Sequence, residues 1–449
     1  MLKQRSTDCQ CICRLNRSRP LIVPGQGSRM GVIVLAIACS ARSIVVSATL
    51  GGRRPAMAAV RTGLDRLVAD PAPLAGRRYG LVCHPASVTH DLVAAPAALA
   101  ATGVGQLAAL FGPQHGLSGH TQDNMIEWAG GYLDPRYGVP VHSLYGAFRK
   151  PTPHMLAGLD LMVIDLQDVG CRVYTFIWTM ALVLEACAEA GLPVLVLDRP
   201  NPLGGRRYEG PGLEPGYESF VGLYPLLLCH GLTIGEIARW LVGTQGLSAD
   251  LTVIELEGWR GEPWAQTGLP WVMPSPNMPT LETALVYPGM VLFEGTRLSE
   301  GRGTCRPFEI VGAPGIDPDR WADELHESDL RGVRFRPLWF EPTFNKHAEQ
   351  LCGGVQLHVT DPATFEPTVT AAVMLTTLRY LFGDLLQWLD PPYEYVHDRL
   401  PIDILAGSPD LRAGVEARRT AADWRAAWTP TRTRFRGLRA AWGAYERGG

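Results

Sequence analysis

Five short apolar runs, each closed by polar residues, constrain this chain more than any other feature of it. They are RYGLVC at 78–83, LAALF at 107–111, LDLMVID at 159–165, LPVLVLD at 192–198 and LTVIEL at 251–256. Strands that are continuously apolar bury both faces, the habit of parallel sheets covered by helices. Helical patterns fall between them, at 92–101, at 175–190 (closed by Gly191) and at 233–241, and VPVHSLY at 139–145 reads as a further short strand. The expected class is α/β: a Rossmann-like, mainly parallel sheet with helices on both faces. Ligands of such sheets bind outside the carboxyl ends of the strands.

The polar residues concentrate just after those strand ends. His84 follows the first run. Gln114, His115, His120, Gln122, Asp123, Asn124 and Glu127 follow the second. Asp165, Asp168, Arg172 and Tyr174 follow the third, and Asn201 sits in DRPNP after the fourth. Gly112, Gly116 and Gly119 permit tight turns in the second loop, and Pro113 stiffens its entry. Four loops should therefore meet at one sheet edge.

Around residues 262–285 the texture changes to a proline-rich connection containing PSPNM at 274–278. Asn277 of that connection, with Glu294, Arg297, Glu300, Arg302 and Arg306 beyond it among Gly295, Gly301 and Gly303, forms a third polar and charged cluster. LCGGVQLHVT at 351–360 reads as a strand, 368–382 as a helix, and the end, with Trp424, Trp428 and Tyr445 among arginines, as amphipathic helices. The expected organisation is a basic extension at 1–56, an α/β domain at 57–270 and a smaller α+β domain at 271–449.

Composition bounds the partners. Of 449 residues 46% are hydrophobic and the net charge is −3, with no basic stripe, which argues against a nucleic-acid partner. Neither G-x-G-x-x-G after the first strand nor G-x-x-x-x-G-K-[ST] is present, so no nucleotide cofactor is expected. Ten cysteines without a C-x-x-C pair suggest neither zinc nor a disulfide framework, with Cys83, Cys171, Cys187 and Cys229 as core residues. No H-E-x-x-H or nucleophile elbow appears, and no cofactor of any kind is expected.

Residues 1–56 carry nine Lys or Arg against one acid, and the nine-residue apolar run GVIVLAIAC at 31–39 is too short to span a bilayer. The extension is expected to be disordered. Two readings stay open. An over-called start, with translation from Met57, implies cytoplasmic work. An atypical signal implies a secreted or periplasmic protein.

Each cluster admits a functional and a bland reading. Asp165, Asp168 and Arg172 could present a carboxylate and a planar fork for an anionic group, or satisfy one another. The arginine–glutamate loop could hold ligand or form a surface network. Tyr145, Tyr174, Trp178, Tyr224 and Trp271 lie near the clusters and could stack on sugar rings, or simply pack.

Together the motifs FGPQHG (111–116), QDN (122–124), VIDLQDVG (163–170) with Arg172, Tyr174 and Thr175, DRPNP (198–202), PSPNM (274–278) and EGTRLSEGRGT (294–304) are identifying. From about Thr62 onward the chain resembles the bacterial family typified by the exo-β-N-acetylmuramidase NamZ. The resemblance implies a glycoside hydrolase that removes terminal β-linked N-acetylmuramic acid from the non-reducing ends of peptidoglycan fragments. It implies a site in a cleft between a Rossmann-like domain and an auxiliary domain. One departure stands out: the family's loop often reads Pro-Glu-His-Gly, and here that glutamate is Gln114. The expected catalytic group is Glu127 or Asp168 as general acid, with His115 and Gln114 placing a water or the sugar's acetamido group. Arg172, Arg297 or Arg302 would bind the lactyl carboxylate. His84, Asp123, Asn124, Asp165, Tyr174, Asn201, Asn277, Glu294 and Glu300 complete the expected substrate-binding set. The competing reading is a protein that holds muropeptides without cutting them, which Gln114 favours.

Overall fold

The apolar runs do become strands in the computed structural model, which describes residues 60–446 other than Asn124. The basic extension and Asn124 lie outside the described residues. Seven strands form the large sheet: β1 (Arg78–Val82), β2 (Gln106–Gly112), β3 (Tyr132–Leu133), β4 (Pro140–Ser143), β5 (Leu161–Ile164), β6 (Val194–Leu197) and β7 (Leu251–Ile254). Their order is β3-β4-β2-β1-β5-β6-β7. Every pairing is parallel except the edge hairpin of β3 with β4. The chain runs outward to one side from β1 and to the other from β5. The switch point is therefore between these two central strands, where a ligand crevice is expected. Leu81 pairs with Val163 and Val82 with Ile164, so the two loops that follow start level with each other.

β5 and β6 are buried at every residue, which is why their sequences show no polar alternation. On one face Leu64, Leu81, Leu99, Val163 and Leu197 form a compact cluster. On the other, Phe111, Met162, Ile164 and Val196 meet the helix Phe176–Ala190. That helix ends as its sequence predicts, at Gly191 in the left-handed region (φ 64°). The helix Ile234–Thr244 starts at Thr233, whose hydroxyl takes the Glu236 N–H while the Glu236 carboxylate takes the Thr233 N–H. The pattern at 92–101 yields a shorter helix, Ala95–Ala101, because Thr89–Val93 closes a turn before Pro96 sets the first helical residues.

The second sheet has antiparallel order β8-β10-β9, with β8 (Ile310–Ala313), β9 (Val333–Phe340) and β10 (Cys352–Val359). The helix Pro318–Glu327 packs on it, and the helix Pro367–Phe382 packs against that helix and against the helix Leu281–Met290. Gly289 is required there, since a Cβ would strike the Pro367 carbonyl. The apolar core continues from the large sheet into this region through Tyr174, Tyr287, Phe308, Val311 and Val355.

The last helix, Ala421–Trp442, returns to the large sheet. After it, the Tyr445 hydroxyl donates to Asp198 Oδ2 at 2.5 Å and takes the Leu256 N–H at 3.0 Å, and the Ala444 N–H donates to Glu236 at 2.8 Å. Among the described residues no helix is long and apolar enough to cross a membrane.

Candidate active site

The loop after β2 is built around Trp128. Its indole N–H donates to the Pro113 carbonyl at 2.9 Å, and its ring fills the space a Cβ on Gly112 would need. Held this way, Gln114 and His115 point into a narrow cavity at the strand ends, shared with Tyr174, Asn277, Glu294 and Arg302. The cavity has an empty volume of about 440 Å3 with its mouth included. Gln114 is buried, and its Oε1 accepts the Thr175 hydroxyl at 2.6 Å. The His115 Nδ1 faces the Thr121 carbonyl at 2.9 Å, which makes Nε2 the acceptor nitrogen. Burial pushes His115 down to about 4, so the ring is neutral at neutral pH.

The opposite wall comes from the second half of the chain. Arg302 is buried between Glu294 and Glu300, 2.8 Å from each, and Lys346 meets the other Glu300 oxygen at 2.8 Å. Burial alone would raise Glu300; the Lys346 and Arg302 charges outweigh it and hold the carboxyl at about 2. The second oxygen of Glu294 accepts the Tyr393 hydroxyl at 2.7 Å.

Beside it stands Glu394, also lining the cavity. Both its oxygens face the Tyr145 hydroxyl, at 3.2 and 3.1 Å, and the Gln114 side chain hydrogen-bonds to it. Burial, seconded by the nearby Glu294 charge, pushes Glu394 up to about 7. Its backbone is unusual. Glu394 and Tyr395 have φ of 42° and 68°, and Tyr393 and Val396 exchange both backbone hydrogen bonds across them. Two left-handed residues at the centre of a two-residue turn normally call for Asn-Gly. Here two side-chain-bearing residues hold it, a strain of the kind found where a side chain must be aimed.

Two family models match the chain: Exo-beta-N-acetylmuramidase NamZ, N-terminal, over residues 79–282, and the corresponding C-terminal model over residues 285–445. The chain belongs to the NamZ exo-β-N-acetylmuramidase family. It is 45% identical over 359 residues to the peptidoglycan β-N-acetylmuramidase NamZ of Bacillus subtilis (strain 168), covering 80% of this chain and 84% of that one. Two solved DUF1343 family proteins of Bacteroides fragilis NCTC 9343 share the fold, at 33% and 27% identity and TM-scores of 0.78 and 0.69. Each match covers 87% of this chain and 100% of the solved one.

Within this family fold, the expected residues divide sharply. Gln114, His115, Tyr174, Asn277, Glu294 and Arg302 share the cavity, and Glu300 anchors Arg302 from behind. Asn277 reaches across to the Gln122 carbonyl. The residues after β1, β5 and β6 mostly brace the loops instead. Asp165 is buried in a two-pronged pair with Arg199, at 2.5 and 2.8 Å. Asp168 takes the Gly170 N–H at 2.6 Å and lies 3.3 Å from His230 Nε2. Asn201 donates to the Leu232 carbonyl at 2.9 Å and accepts the Leu203 N–H. Arg172 is wholly buried and donates to the carbonyls of Pro211, Leu226 and Leu405, at 3.2, 3.0 and 2.9 Å. A guanidinium spent on three carbonyls has no fork left for a substrate carboxylate.

His84 is a strut as well. Its Nε2 accepts the Gln167 N–H at 2.9 Å and its Nδ1 faces the Pro274 carbonyl at 3.3 Å. Burial, with Arg199 nearby, pushes it down to about 3. Asp123 accepts from Asn345 at 2.7 Å, tying the loop after β2 to the second half of the chain. Glu127 is exposed and accepts the Tyr395 hydroxyl at 2.8 Å, behind the turn that carries Glu394. Arg297 is exposed, 3.5 Å from Asp390. Neither Glu127, Asp168, Arg172 nor Arg297 lines the cavity.

Sequence reasoning missed Thr175 as a partner of Gln114, and missed Tyr287, Tyr393 and Glu394 altogether. The one available signal for the last two was PPYEY at 391–395, an acid flanked by aromatics just after two stiffening prolines.

Proposed function

We infer that this chain is a glycoside hydrolase releasing terminal β-linked N-acetylmuramic acid from the non-reducing ends of peptidoglycan fragments. The observation that carries the reading is family membership through both halves of the chain, at 45% identity to a curated β-N-acetylmuramidase. The cavity agrees in chemistry. It is lined by carboxyl groups, two amides, a neutral imidazole and tyrosines, suited to a polar, ring-shaped ligand. Of the three arginines expected to read the lactyl carboxylate, Arg302 is the one that lines the cavity. It is the guanidinium to which we assign that contact.

The test is hydrolysis by the full chain of 4-nitrophenyl β-N-acetylmuramide beside the matching glucosaminide. Release from the muramide in strong preference supports the reading. Equal release from both removes the muramic-acid specificity. Release from neither, with muropeptide binding retained in calorimetry, replaces the enzyme by the muropeptide-holding protein that Gln114 in place of the family's glutamate would favour.

A further inference from the structure

We propose that Glu394, presented by the turn between Tyr393 and Val396, is the proton donor to the leaving sugar, taking over a task that Gln114 cannot perform. This rests on the glycosidase reading above. An amide has no proton to give a glycosidic oxygen, so a chain with Gln114 needs another acid within the same cavity. The cavity-lining carboxyl groups are those of Glu294 and Glu394. Glu294 is committed to Arg302 through one oxygen and to the Tyr393 hydroxyl through the other. Among the described residues Glu394 has no such ion pair.

The groups packed around Glu394 come from four parts of the chain. The Tyr145 hydroxyl approaches from the end of β4, and Arg149 lies a little further along, stacked 3.5 Å from the Tyr395 ring centroid. Gln114 reaches it from the loop after β2, and Met125 of the same loop takes its backbone N–H. Glu294 faces it from the second half of the chain, and Tyr395 adjoins it on its own turn. Burial and the Glu294 charge favour the protonated form; Tyr145, Arg149 and Gln114 favour the ionised form. The balance near 7 leaves a carboxyl that both yields and recovers a proton at neutral pH.

The arrangement around Gln114 fits the same task. Thr175 occupies the amide oxygen, so the amide nitrogen is the end that faces Glu394. As the bond from C1 to the leaving oxygen breaks, its electron pair and the Glu394 proton both go to that oxygen. Water supplies the oxygen of the new bond at C1, and the proton it sheds returns to the Glu394 carboxylate. Atoms and charge balance over the cycle with no further reagent.

The experiment compares two substrates in the full-length chain and its Glu394→Gln variant. One is 4-nitrophenyl β-N-acetylmuramide, whose leaving group departs without protonation. The other is the β-linked muramyl-glucosamine disaccharide, whose leaving hydroxyl needs a proton. Loss of an acid should cost about 100-fold or more in kcat/KM on the disaccharide and at least about 10-fold less on the nitrophenyl glycoside. A Tyr145→Phe variant provides an independent reading. Removing its hydroxyl withdraws a donor from the carboxylate, so the alkaline limb of the kcat/KM profile should move to higher pH. Equal losses on both substrates, an unaffected Glu394→Gln enzyme, or an unmoved limb in Tyr145→Phe would overturn the assignment while the glycosidase reading stands. An unmodified chain inactive on both substrates would overturn the glycosidase reading itself, and Glu394's role with it.

Discussion

The Thr175 hydroxyl donates to Gln114 Oε1 at 2.6 Å and so decides which end of a buried amide faces the cavity. Without it the amide is free to turn its oxygen toward Glu394. Thr175→Val keeps the side-chain shape and leaves that oxygen without its donor, at a cost of about 1–3 kcal/mol. We expect kcat/KM on the muramide to fall roughly 10-fold, while the circular dichroism melt moves only a few degrees. Unchanged kinetics would show that the amide's orientation is immaterial.

Gln114→Glu restores the carboxylate that the family resemblance places here. It would lie beside Glu394, and two adjacent carboxyls cannot both ionise freely, so one proton is held to higher pH. The mutation also removes the amide donor that now favours ionised Glu394. Both effects have the same sign. The alkaline limb of the kcat/KM profile should rise by about one pH unit or more; a limb that stays put or falls would contradict the contact.

Glu127→Gln should change kcat/KM by less than about 2-fold, the range ordinary for an exposed substitution away from the chemistry. The carboxylate is exposed and its contact is the Tyr395 hydroxyl, which a glutamine oxygen can equally accept. A loss above about 100-fold would return Glu127 to the role of general acid.

Stability should fall as pH rises through the weakly acidic range, and Glu209 is the clearest contributor. Burial pushes it up to about 7, against a partial offset from the Thr368 N–H, which donates to it at 3.1 Å. The unfolded chain ionises near the ordinary glutamate value, about 4.3. Between the two values the unfolded state has lost a proton that the folded state keeps. The folded state's advantage is therefore complete below about 4, declines up to about 7 and is level beyond. Asp198, pushed up to about 6, and Glu394 act with the same sign. Glu209→Gln keeps an acceptor for Thr368 and should stabilise the protein above pH 7 by an amount on the order of 2 kcal/mol, with no gain at pH 4. Urea denaturation of both proteins at the two pH values reads the difference; an equal gain at both would rule out the charge as the cause.

The sheet was legible because strands buried on both faces leave an unmistakable run of apolar residues, as in LDLMVID and LPVLVLD. Helix ends were legible where chemistry is local: Thr233 with Glu236, and Gly191. The strand-end rule brought Gln114, His115 and Tyr174 to one cavity. It overreached at Asp165 and Arg172, since sequence shows which charges are adjacent but not which are spent internally. Asp165 meets Arg199, 34 positions away, and Arg172 meets only carbonyls. Glu394 was invisible for a different reason. Its contact with Tyr145 spans 249 positions, and its turn lacks the Asn-Gly that would have announced it.

The tyrosine after the last helix has a consequence for how the protein is made. A ribosome completes every strand of the large sheet by residue 254, yet Asp198, at the end of β6, receives its Tyr445 donor from a residue made far later. The Ala444 amide likewise reaches Glu236, the residue that closes the cap of an early helix. The first half thus lacks these two donors until residues 444 and 445 have been made. A change that removes Ala444 and Tyr445 would therefore act on the part of the sheet that is synthesised early, through groups 189 to 247 positions away in sequence.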